Sequence, residues 1–369
     1  MYKKINIVIG ANYGDEGKGL ITDKLCWENR DLKTINVLFN GGPQRGHTVE
    51  LLEGSVKRHV FHHLGSGTFC NADTYLDEDF LIEPFTLLKE CSKFRNVRIY
   101  ASPKCRVITP YDIGLNVARE INDGYRRAGS CGYGVWETIN RHEISSFNLR
   151  LGDMLKLRRK DFIEYLADMK HDYAKERMKS YYQPLNDYFD IRPEETCRMI
   201  MAAAKKIQII DNAYELFADI YDHIIFEGGQ GLLLDKDNKS EGRHVTSSNT
   251  GARVPIERMS EYISTVKPDI HYVTRSYLTR HGNGNLEGEL PREQVTQNID
   301  ETNVYNEFQG HIRYAPLDIN QVKERIRKDA CTACKTPLNI FLNVTQADRC
   351  ETVKENDLTI NYISKRAFH

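Results

Sequence analysis

The sequence predicts an α/β protein with a P-loop-like nucleotide-binding fold, built on a central, mostly parallel sheet with helical insertions. A buried strand at residues 4–9 ends at a glycine-rich loop, and a helix follows at 18–29. Strand, glycine loop and helix in this order open many nucleotide-binding domains. Further strand patterns, each followed by a turn or polar loop, return at 34–39, 223–226, 269–274 and 338–344.

The composition is that of a globular protein and excludes several other classes. Hydrophobic residues make up 40% and charged residues 28% of the 369 residues, which excludes collagen-like, low-complexity and wholly disordered chains. The 51 Lys and Arg nearly balance the 52 Asp and Glu, so no overall field attracts nucleic acid or an anionic membrane. No apolar run is long enough for a membrane span or a signal peptide. We therefore expect a cytoplasmic protein that binds neither nucleic acid nor membrane.

The nine Cys are scattered along the chain, which favours reduced thiols over a disulfide framework. Cys331 and Cys334 have C-x-x-C spacing, but no second Cys or His pair follows at zinc-finger distance. The local pattern favours the end of a charged helix.

The chain is predicted to form a single domain over residues 1–369, because it shows no internal repeat and no linker rich in Pro, Gly or Ser. Helical patterns cover 84–91 and 112–121, and a glycine-rich stretch follows at 129–134. Around 153–220 lies a mostly polar helical excursion, whose Tyr and Met at helical spacing indicate core packing.

The first glycine-rich loop, residues 10–19, has the sequence GANYGDEGKG. Its backbone N–H groups, the helix N-terminus and the Lys18 ammonium can together hold a polyphosphate. The spacing differs from a Walker A motif, and Gly19 stands where Ser or Thr would hold Mg²⁺. Phosphate would repel Asp15 unless that acid binds metal or removes a proton.

Three later segments carry candidate binding groups. Residues 40–48 place His47 beside glycines at the end of a strand, where it can protonate or polarise an oxygen that gains charge. Residues 226–235 are predicted as an apolar strand entering a glycine-rich turn, with Gln230 as a hydrogen-bonding group. Residues 245–251 form a hydroxyl cluster, which fits either a plain cap or a phosphate or carboxylate site.

At these motifs the chain resembles the adenylosuccinate synthetase family. The shared segments occur in the family's order and cover nearly the whole chain: GDEGKG at 14–19, GHT at 46–48, HLGSG at 63–67, FEGGQG at 226–231, VTSSNT at 245–250 and TRHGNG at 279–284. The resemblance implies a homodimer, Mg²⁺ and the joining of L-aspartate to C6 of a purine nucleoside monophosphate. A 6-phosphoryl intermediate would be formed at the expense of a nucleoside triphosphate.

The resemblance also implies four catalytic residues and a metal site. Asp15 would be the base that removes the purine N1 proton, and His47 would stabilise charge on the moving phosphoryl group. Lys18, with Mg²⁺, would neutralise the phosphates, and Gln230 would hold the purine near O6. The Mg²⁺ would lie against Asp15 and the Gly46 carbonyl.

Three binding sets carry over in the same way. The implied triphosphate-binding residues are Gly14, Glu16, Gly17, Lys18, Gly19, Gly46, His47, Thr48, Asn343 and Gln346. The implied monophosphate-binding residues are Asn12, Gln44, Ser130, Cys131, Arg141, Gln230 and Thr246. The implied aspartate-binding residues are Gln309, Gly310 and Arg313. Arg141 would reach the nucleotide of the partner subunit, and Cys131 replaces the usual hydroxyl as a tolerated small residue.

The chain departs from the family at the residue that contacts the base of the phosphate-donating nucleotide. The cellular enzymes use GTP and carry an Asp that accepts from guanine N1–H and N2–H₂. The aligned residue here is Gln346, and its neutral amide matches the acceptor and donor pair of adenine. ATP or dATP is therefore favoured over GTP, although a one-residue shift of the alignment would bring Asp348 to this place.

A second departure concerns the acceptor. In the segment 308–316 Arg313 alone remains as a forked donor for a carboxylate, and the chain resembles the phage-type branch that aminates dGMP towards 2-amino-2′-deoxyadenylate. That branch typically replaces the catalytic Asp by a small hydroxyl residue, whereas Asp15 is present here. We favour dGMP, giving N6-succino-2-amino-2′-deoxyadenylate, over IMP; a phage origin would make the compartment the host cytoplasm.

Two other classes remain open. A plain P-loop NTPase or kinase would explain Lys18 and the glycines but would leave Asp15, His47 and Gln230 without roles. An inactive regulatory homologue would keep the glycines and lose the acid or the histidine. Phosphate release separates these classes, because a synthetase needs both L-aspartate and the right monophosphate.

Overall fold

The fold is organised around one ten-stranded sheet, seen in a computed structural model that describes residues 2–51, 57–124, 127–262, 266–299, 302–334, 338–347, 351–355 and 358–363. The strands are β1 (Lys4–Gly10), β2 (Thr34–Leu38), β3 (His47–Leu51), β4 (Lys57–Phe61), β5 (Asp73–Leu76), β6 (Leu81–Ile82), β7 (Ile99–Ala101), β8 (Arg106–Val107), β9 (Gln208–Ile209), β10 (His223–Gly231), β11 (Asp269–Arg275), β12 (Tyr277–Arg280), β13 (Arg313–Pro316), β14 (Asn339–Thr345), β15 (Glu351–Glu355) and β16 (Leu358–Tyr362). The α-helices are α1 (Lys18–Glu28), α2 (Pro84–Lys93), α3 (Pro110–Asp123), α4 (Val135–Ile144), α5 (Leu151–Met154), α6 (Arg159–Asp168), α7 (Glu176–Lys179), α8 (Pro193–Ala204), α9 (Ala213–Ile220), α10 (Arg253–Arg258), α11 (Arg292–Val295) and α12 (Ile319–Ala333).

The strand order of the main sheet is β15-β16-β14-β11-β1-β10-β2-β5-β7-β9. All neighbours pair in parallel except β15 and β16. This confirms the predicted α/β class with a mostly parallel sheet. Because β1, β2, β10, β11 and β14 run in the same direction, the loops that follow them leave one edge of the sheet, which is where ligands bind in such folds.

Most predicted elements are confirmed, with two shifts that have clear causes. Helix α3 begins two residues before the predicted start, because Pro110 is tolerated at the first helical position and Thr109 accepts a hydrogen bond from the N–H of Asp112. Strand β10 continues through the predicted glycine turn to Gly231, because Gly231 pairs with Gly10 of β1 after a register shift; its pairing with β2 ends at Glu227.

The two faces of the sheet are covered by different helices. Ile7 of β1 belongs to a buried cluster that includes Phe217 of α9 and Val322 of α12. Its neighbour Val8 points the other way and packs in a cluster with Ile21 of α1. The alternation of side chains along β1 therefore supplies both cores.

Residues 153–204 form a helical layer on α2 and α3, whereas α9 packs on the main sheet. Met154, Met169, Tyr173 and Met178 are buried in the core of this layer, as the predicted stripe required, while Tyr182 and Tyr188 are exposed. The rest of the predicted excursion contributes β9, an edge strand that the sequence did not predict. Among the described residues, no helix combines the length and apolar character that a membrane crossing requires.

A row of polar side chains runs through the interior of the sheet across six neighbouring strands, and we call it the polar row. In sheet order from β16 to β2 it consists of Asn361, Asn343, His271, Asn6, His223 and Thr34. Successive members lie 3.1, 3.5, 3.0, 2.7 and 3.1 Å apart. Burial lowers the pKa of His223 and that of His271 to about 3, so both imidazoles are neutral at physiological pH.

Candidate active site

The glycine loop between β1 and α1 is held in a left-handed conformation by its glycines and by contact with β14. Gly14, Asp15 and Gly17 have φ angles of 105°, 56° and 92°, which glycine adopts at low cost. A Cβ atom on Gly17 would lie 3.1 Å from Cγ2 of Thr345, and Thr345 Oγ1 donates a 2.7 Å hydrogen bond to the Glu16 carbonyl. The end of β14 therefore closes this loop.

The two charged residues after Asp15 in this loop are turned into the protein. Glu16 and Lys18 are 3% and 2% exposed, and their charged ends lie 4.0 Å apart. Glu16 Oε1 accepts a 2.5 Å hydrogen bond from the backbone N–H of Asn12. Burial raises the pKa of Glu16 to about 7, against the opposing effect of Lys18. Glu16 thus shapes the loop, and Lys18 stands at the first position of α1.

Asp15, in contrast, keeps its side chain 29% exposed and faces a cavity. Its Oδ2 lies 3.3 Å from Nε2 of His281. Its backbone carbonyl accepts a hydrogen bond from Nε of Arg275, which fixes the strained residue from outside the loop. The acid that the sequence singled out is therefore available to a ligand.

His47 is oriented by the buried ion pair of Arg45 and Glu227, whose Nη2 and Oε1 atoms lie 2.9 Å apart. Nδ1 of His47 lies 2.5 Å from Oε1 of Glu227 and 2.8 Å from Nη2 of Arg45. Because a carboxylate only accepts, we assign the Nδ1 proton to the bond with Glu227. Nε2 has no hydrogen-bond partner among the described residues and is the nitrogen left for a ligand.

The charges around His47 set its protonation state. Burial lowers its pKa to about 4; the charge of Arg45 lowers this pKa further, and Glu227 acts to raise it. Burial acts to raise the pKa of Glu227, but Arg45 and His47 hold that pKa below its usual range. The sequence analysis did not predict Arg45 and Glu227 as partners of His47. A signal was available, because Glu227 lies inside a strand pattern and a buried carboxylate needs a cation.

Three cavities adjoin each other at this edge of the sheet. The loop cavity, about 160 Å³, is lined by residues 15–20, 46–48 and 345–346 among others. The central cavity, about 320 Å³, shares Asp15, Lys18, Gly46 and His47 with it. The large cavity, about 570 Å³, lies on the other side. The walls common to the central and large cavities include Tyr13, Gln44, Cys131, Tyr133, Gln230 and His281.

Most residues that the resemblance implied for the triphosphate lie together. Those that line the loop cavity are Glu16, Gly17, Lys18, Gly19, Gly46, His47, Thr48 and Gln346, and Gly14 lines the central cavity. Asn343 is an exception and a correction. It belongs to the polar row, where its amide contacts His271 and Asn361, so it lies inside the sheet rather than in the cavity.

The monophosphate set is divided by the structure. Five residues of this set line the large cavity: Gln44, Ser130, Cys131, Gln230 and Thr246. Asn12 is 2% exposed, donates a 2.8 Å hydrogen bond to Thr274 Oγ1 and accepts one from Arg325, so its side chain holds the loop. Burial raises the pKa of Cys131 to about 12, which keeps it a neutral thiol.

Arg141 is a second correction. It is 0% exposed, forms two hydrogen bonds of 2.9 and 3.1 Å with Asp112, and donates to two backbone carbonyls. A guanidinium packed in this way fixes α4 on α3 and is not exposed to a ligand in the described chain.

The structure does not bring the aspartate set together in one cavity. Gln309 lines the central and large cavities, and Gly310 follows it with a φ of 73°. Arg313 pairs with Glu289 at 2.7 Å and lies outside the three cavities. Sequence reasoning also missed Arg275, which lines the loop cavity at the end of β11; a cation directly after a buried strand was the available signal.

Comparison with known proteins points to one family. A family model described as adenylosuccinate synthetase matches residues 7–364. The adenylosuccinate synthetase of Teredinibacter turnerae is 31% identical over 367 residues, covering 95% of this chain and 80% of the relative. That of Saccharophagus degradans is 27% identical over 372 residues, with the same two coverages of 95% and 80%.

Two solved structures share the fold. The fully ligated adenylosuccinate synthetase of Plasmodium falciparum gives a TM-score of 0.71 at 21% identity, covering 93% of this chain and 77% of that one. The succinoaminodeoxyadenylate synthetase of cyanophage S-2L, bound to dGMP and to dATP as an energy donor, gives 0.65 at 16% identity, covering 93% and 85%.

Proposed function

This chain belongs to the adenylosuccinate synthetase family of carbon–nitrogen ligases, and from that premise we propose that it condenses L-aspartate with C6 of dGMP, using ATP or dATP. The product would be N6-succino-2-amino-2′-deoxyadenylate, with NDP and phosphate released. IMP as acceptor, which would make the chain an adenylosuccinate synthetase proper, is the second candidate. A homodimer and Mg²⁺ belong to the same proposal.

One observation carries the proposal: Asp15, Lys18 and His47 line a central cavity that shares wall residues with the loop cavity and with the large cavity. The triphosphate would lie in the loop cavity, where glycine N–H groups and Lys18 meet its charge. The purine would enter from the large cavity, where Gln44 and Gln230 each keep an Oε1 without a partner among the described residues. The reacting groups would meet beside Asp15.

The chemistry runs in two steps. Asp15 removes the N1 proton, and O6 then attacks the γ-phosphorus, so that the O6–P bond forms as the bond to NDP breaks. The amine of L-aspartate next attacks C6: the C–N bond forms, the C6–O bond breaks so that O6 leaves with inorganic phosphate, and the amine gives up one proton. His47 presents Nε2 where charge moves between the two nucleotides, held by its Nδ1 contact with Glu227. Nε2 donates there once the charge of the bound phosphates has raised the pKa of His47 and protonated the ring.

The residues near Asp15 fit Mg²⁺. Mg²⁺ prefers hard oxygen ligands and is usually bound by one or two carboxylates together with substrate phosphates. The Asp15 carboxylate and Gly46 line the same two cavities, and Gly46 can offer its carbonyl. In the part of the chain that the structure describes, no group of three or more His, Cys, Asp or Glu could hold a metal. Bound Mg²⁺ would neutralise phosphate charge.

The donor preference rests on Gln346. It follows β14 with a φ of 56°, lines the loop cavity and has no partner for Oε1 among the described residues. An amide can both accept and donate, which suits adenine, whereas guanine presents two donors. Asp348, the alternative reader, lies outside the described residues.

A substrate matrix tests the proposal. ATP, dATP and GTP are combined with dGMP, IMP and GMP in the presence of L-aspartate and Mg²⁺, and the succinyl product is identified by mass. We expect product from dGMP with ATP or dATP, and we expect Gln346→Asp to shift the preference towards GTP, while Asn343→Asp, which changes the sheet interior, should not.

Each other result has a defined meaning. Product from IMP alone would assign the chain to adenylosuccinate synthetase proper. Phosphate release without L-aspartate would indicate an NTPase, and no turnover with any pair would indicate an inactive homologue.

A further inference from the structure

The large cavity needs a cation if it binds a nucleoside monophosphate. A phosphate monoester carries nearly two negative charges at neutral pH, and burying it without a counter-charge is costly. The resemblance assigned this role to Arg141, which the structure places in the core. The remaining residues of that set that line the cavity, including Ser130 and Thr246, are uncharged.

Four Arg or Lys side chains line the large cavity, and two of them are already neutralised. Arg280 pairs with Glu241 at 2.6 Å, and Arg243 pairs with Asp123 at 2.8 Å. Lys236 is exposed, and no side-chain contact among the described residues fixes its ammonium. Arg119 is half-buried, and among the described residues no carboxylate oxygen lies within ion-pair distance of it.

Arg119 is held in place by an aromatic ring. Its guanidinium carbon lies 3.9 Å from the centroid of the Trp136 ring, well inside the distance for a cation–π contact. Stacking fixes the plane of the guanidinium and leaves its N–H edges free to form two parallel bonds with an oxyanion. Trp136 is itself 40% exposed, so the stacked pair borders the open cavity.

The helix that carries Arg119 is also fixed to the predicted monophosphate loop. Asn116, one turn earlier on α3, donates a 2.7 Å hydrogen bond to Ser130 Oγ. The Glu120 carboxylate accepts from the backbone N–H groups of Gly129 and Ser130 at 3.2 and 3.1 Å. The position of Arg119 relative to this loop is therefore set before any ligand binds.

We propose that Arg119, stacked on Trp136, binds the phosphate group of the acceptor nucleotide. The inference rests on the proposed function, because it deepens the assignment of the large cavity to the acceptor.

The test compares ligands with and without the phosphate. Binding of dGMP, IMP, deoxyguanosine and inosine is measured by calorimetry for the wild type, Arg119→Gln and Arg119→Lys. Since a charge-assisted pair is lost, we expect Arg119→Gln to weaken monophosphate binding about 10- to 100-fold while nucleoside binding stays unchanged. Arg119→Lys keeps the positive charge but not the planar guanidinium with its parallel N–H groups. It should therefore weaken monophosphate binding less than Arg119→Gln does.

Arg243→Gln is the matched control, because it removes a guanidinium that lines the same cavity but is already paired with Asp123. We expect it to change monophosphate binding less than about threefold. Trp136→Leu should weaken monophosphate binding in the same direction as Arg119→Gln, and by less. Thermal unfolding of each variant shows whether the fold is kept.

Two results would overturn the inference alone. Arg119→Gln could leave monophosphate binding unchanged, or it could weaken nucleosides and monophosphates equally, which would be a packing effect. If the wild type bound no purine monophosphate at all, the proposed function itself would be wrong, and the inference with it.

Discussion

Individual residues of the candidate site differ in how far sequence could place them. Asp15 and Lys18 are contiguous with the glycines that shape their loop, so the local pattern was sufficient. Arg141 and Asn343 depend on which way a side chain points from a helix or a strand. That direction is decided by partners such as Asp112 and His271, which are distant in the sequence.

Asp15→Asn should abolish formation of the succinyl product, because an amide cannot remove the purine N1 proton. General-base groups typically contribute about 10²- to 10⁴-fold to rate. Triphosphate binding should change little if the loop keeps its shape. Calorimetry with the nucleoside triphosphate in the absence of L-aspartate checks this. Near-normal turnover by this variant would show that Asp15 is not the base.

Secondary-structure elements were predicted more securely than the contacts between them. Strands β1, β2, β11 and β14 were expected within one or two residues of their observed bounds, since buried parallel strands leave continuous apolar runs. The short strand β9 escaped prediction, because two residues give no periodic signal and its pairing with β7 is set by the tertiary fold.

The contact between the glycine loop and β14 makes Gly17 sensitive to substitution. Gly17→Ala combines a left-handed φ of 92° with a Cβ contact of 3.1 Å to Thr345. We expect a loss of about 1–3 kcal/mol in the free energy of unfolding, measured by urea denaturation. Gly288→Ala is the control, since its φ of 69° is also positive but a Cβ there meets only Cδ of Pro316, at 4.0 Å.

The Gly17 variant should therefore lose more stability than the Gly288 variant, and the difference reflects the contact with Thr345. It should also bind the triphosphate more weakly, because the loop would have to move. Equal losses in the two variants would show that β14 does not constrain the loop.

The whole molecule carries a pH dependence that arises largely from buried imidazoles. Burial lowers the pKa of His63, His223 and His271 to about 3 each, against about 6.5 in an unfolded chain. Between these values the unfolded state binds protons that the folded state does not, so the free energy of unfolding falls as pH falls from about 6.5. Glu16, with its pKa raised to about 7, acts in the opposite direction.

The slope of this dependence gives the test. Urea unfolding between pH 6.5 and 4.5 should show a decline to which each buried His contributes at most about 1.4 kcal/mol per pH unit. His271→Gln, which keeps an amide in the polar row, should decline less steeply by up to that amount. If the variant and the wild type have the same slope, His271 takes up its proton in the folded state.

At the scale of the whole chain, the sequence motifs indicated the fold class and the family, because motif order reflects the order of strands and loops. The polar row could not be predicted. Its six members come from six segments that only the strand order brings side by side, and each one alone is an ordinary polar residue in a strand.

The wall shared by the loop and central cavities has an equilibrium consequence. Asp15, Lys18, Gly46 and His47 line both of these cavities. If filling either side shifts this wall, the two ligands become thermodynamically linked. The factor by which the nucleoside triphosphate changes the affinity for the monophosphate must then equal the factor by which the monophosphate changes the affinity for the triphosphate.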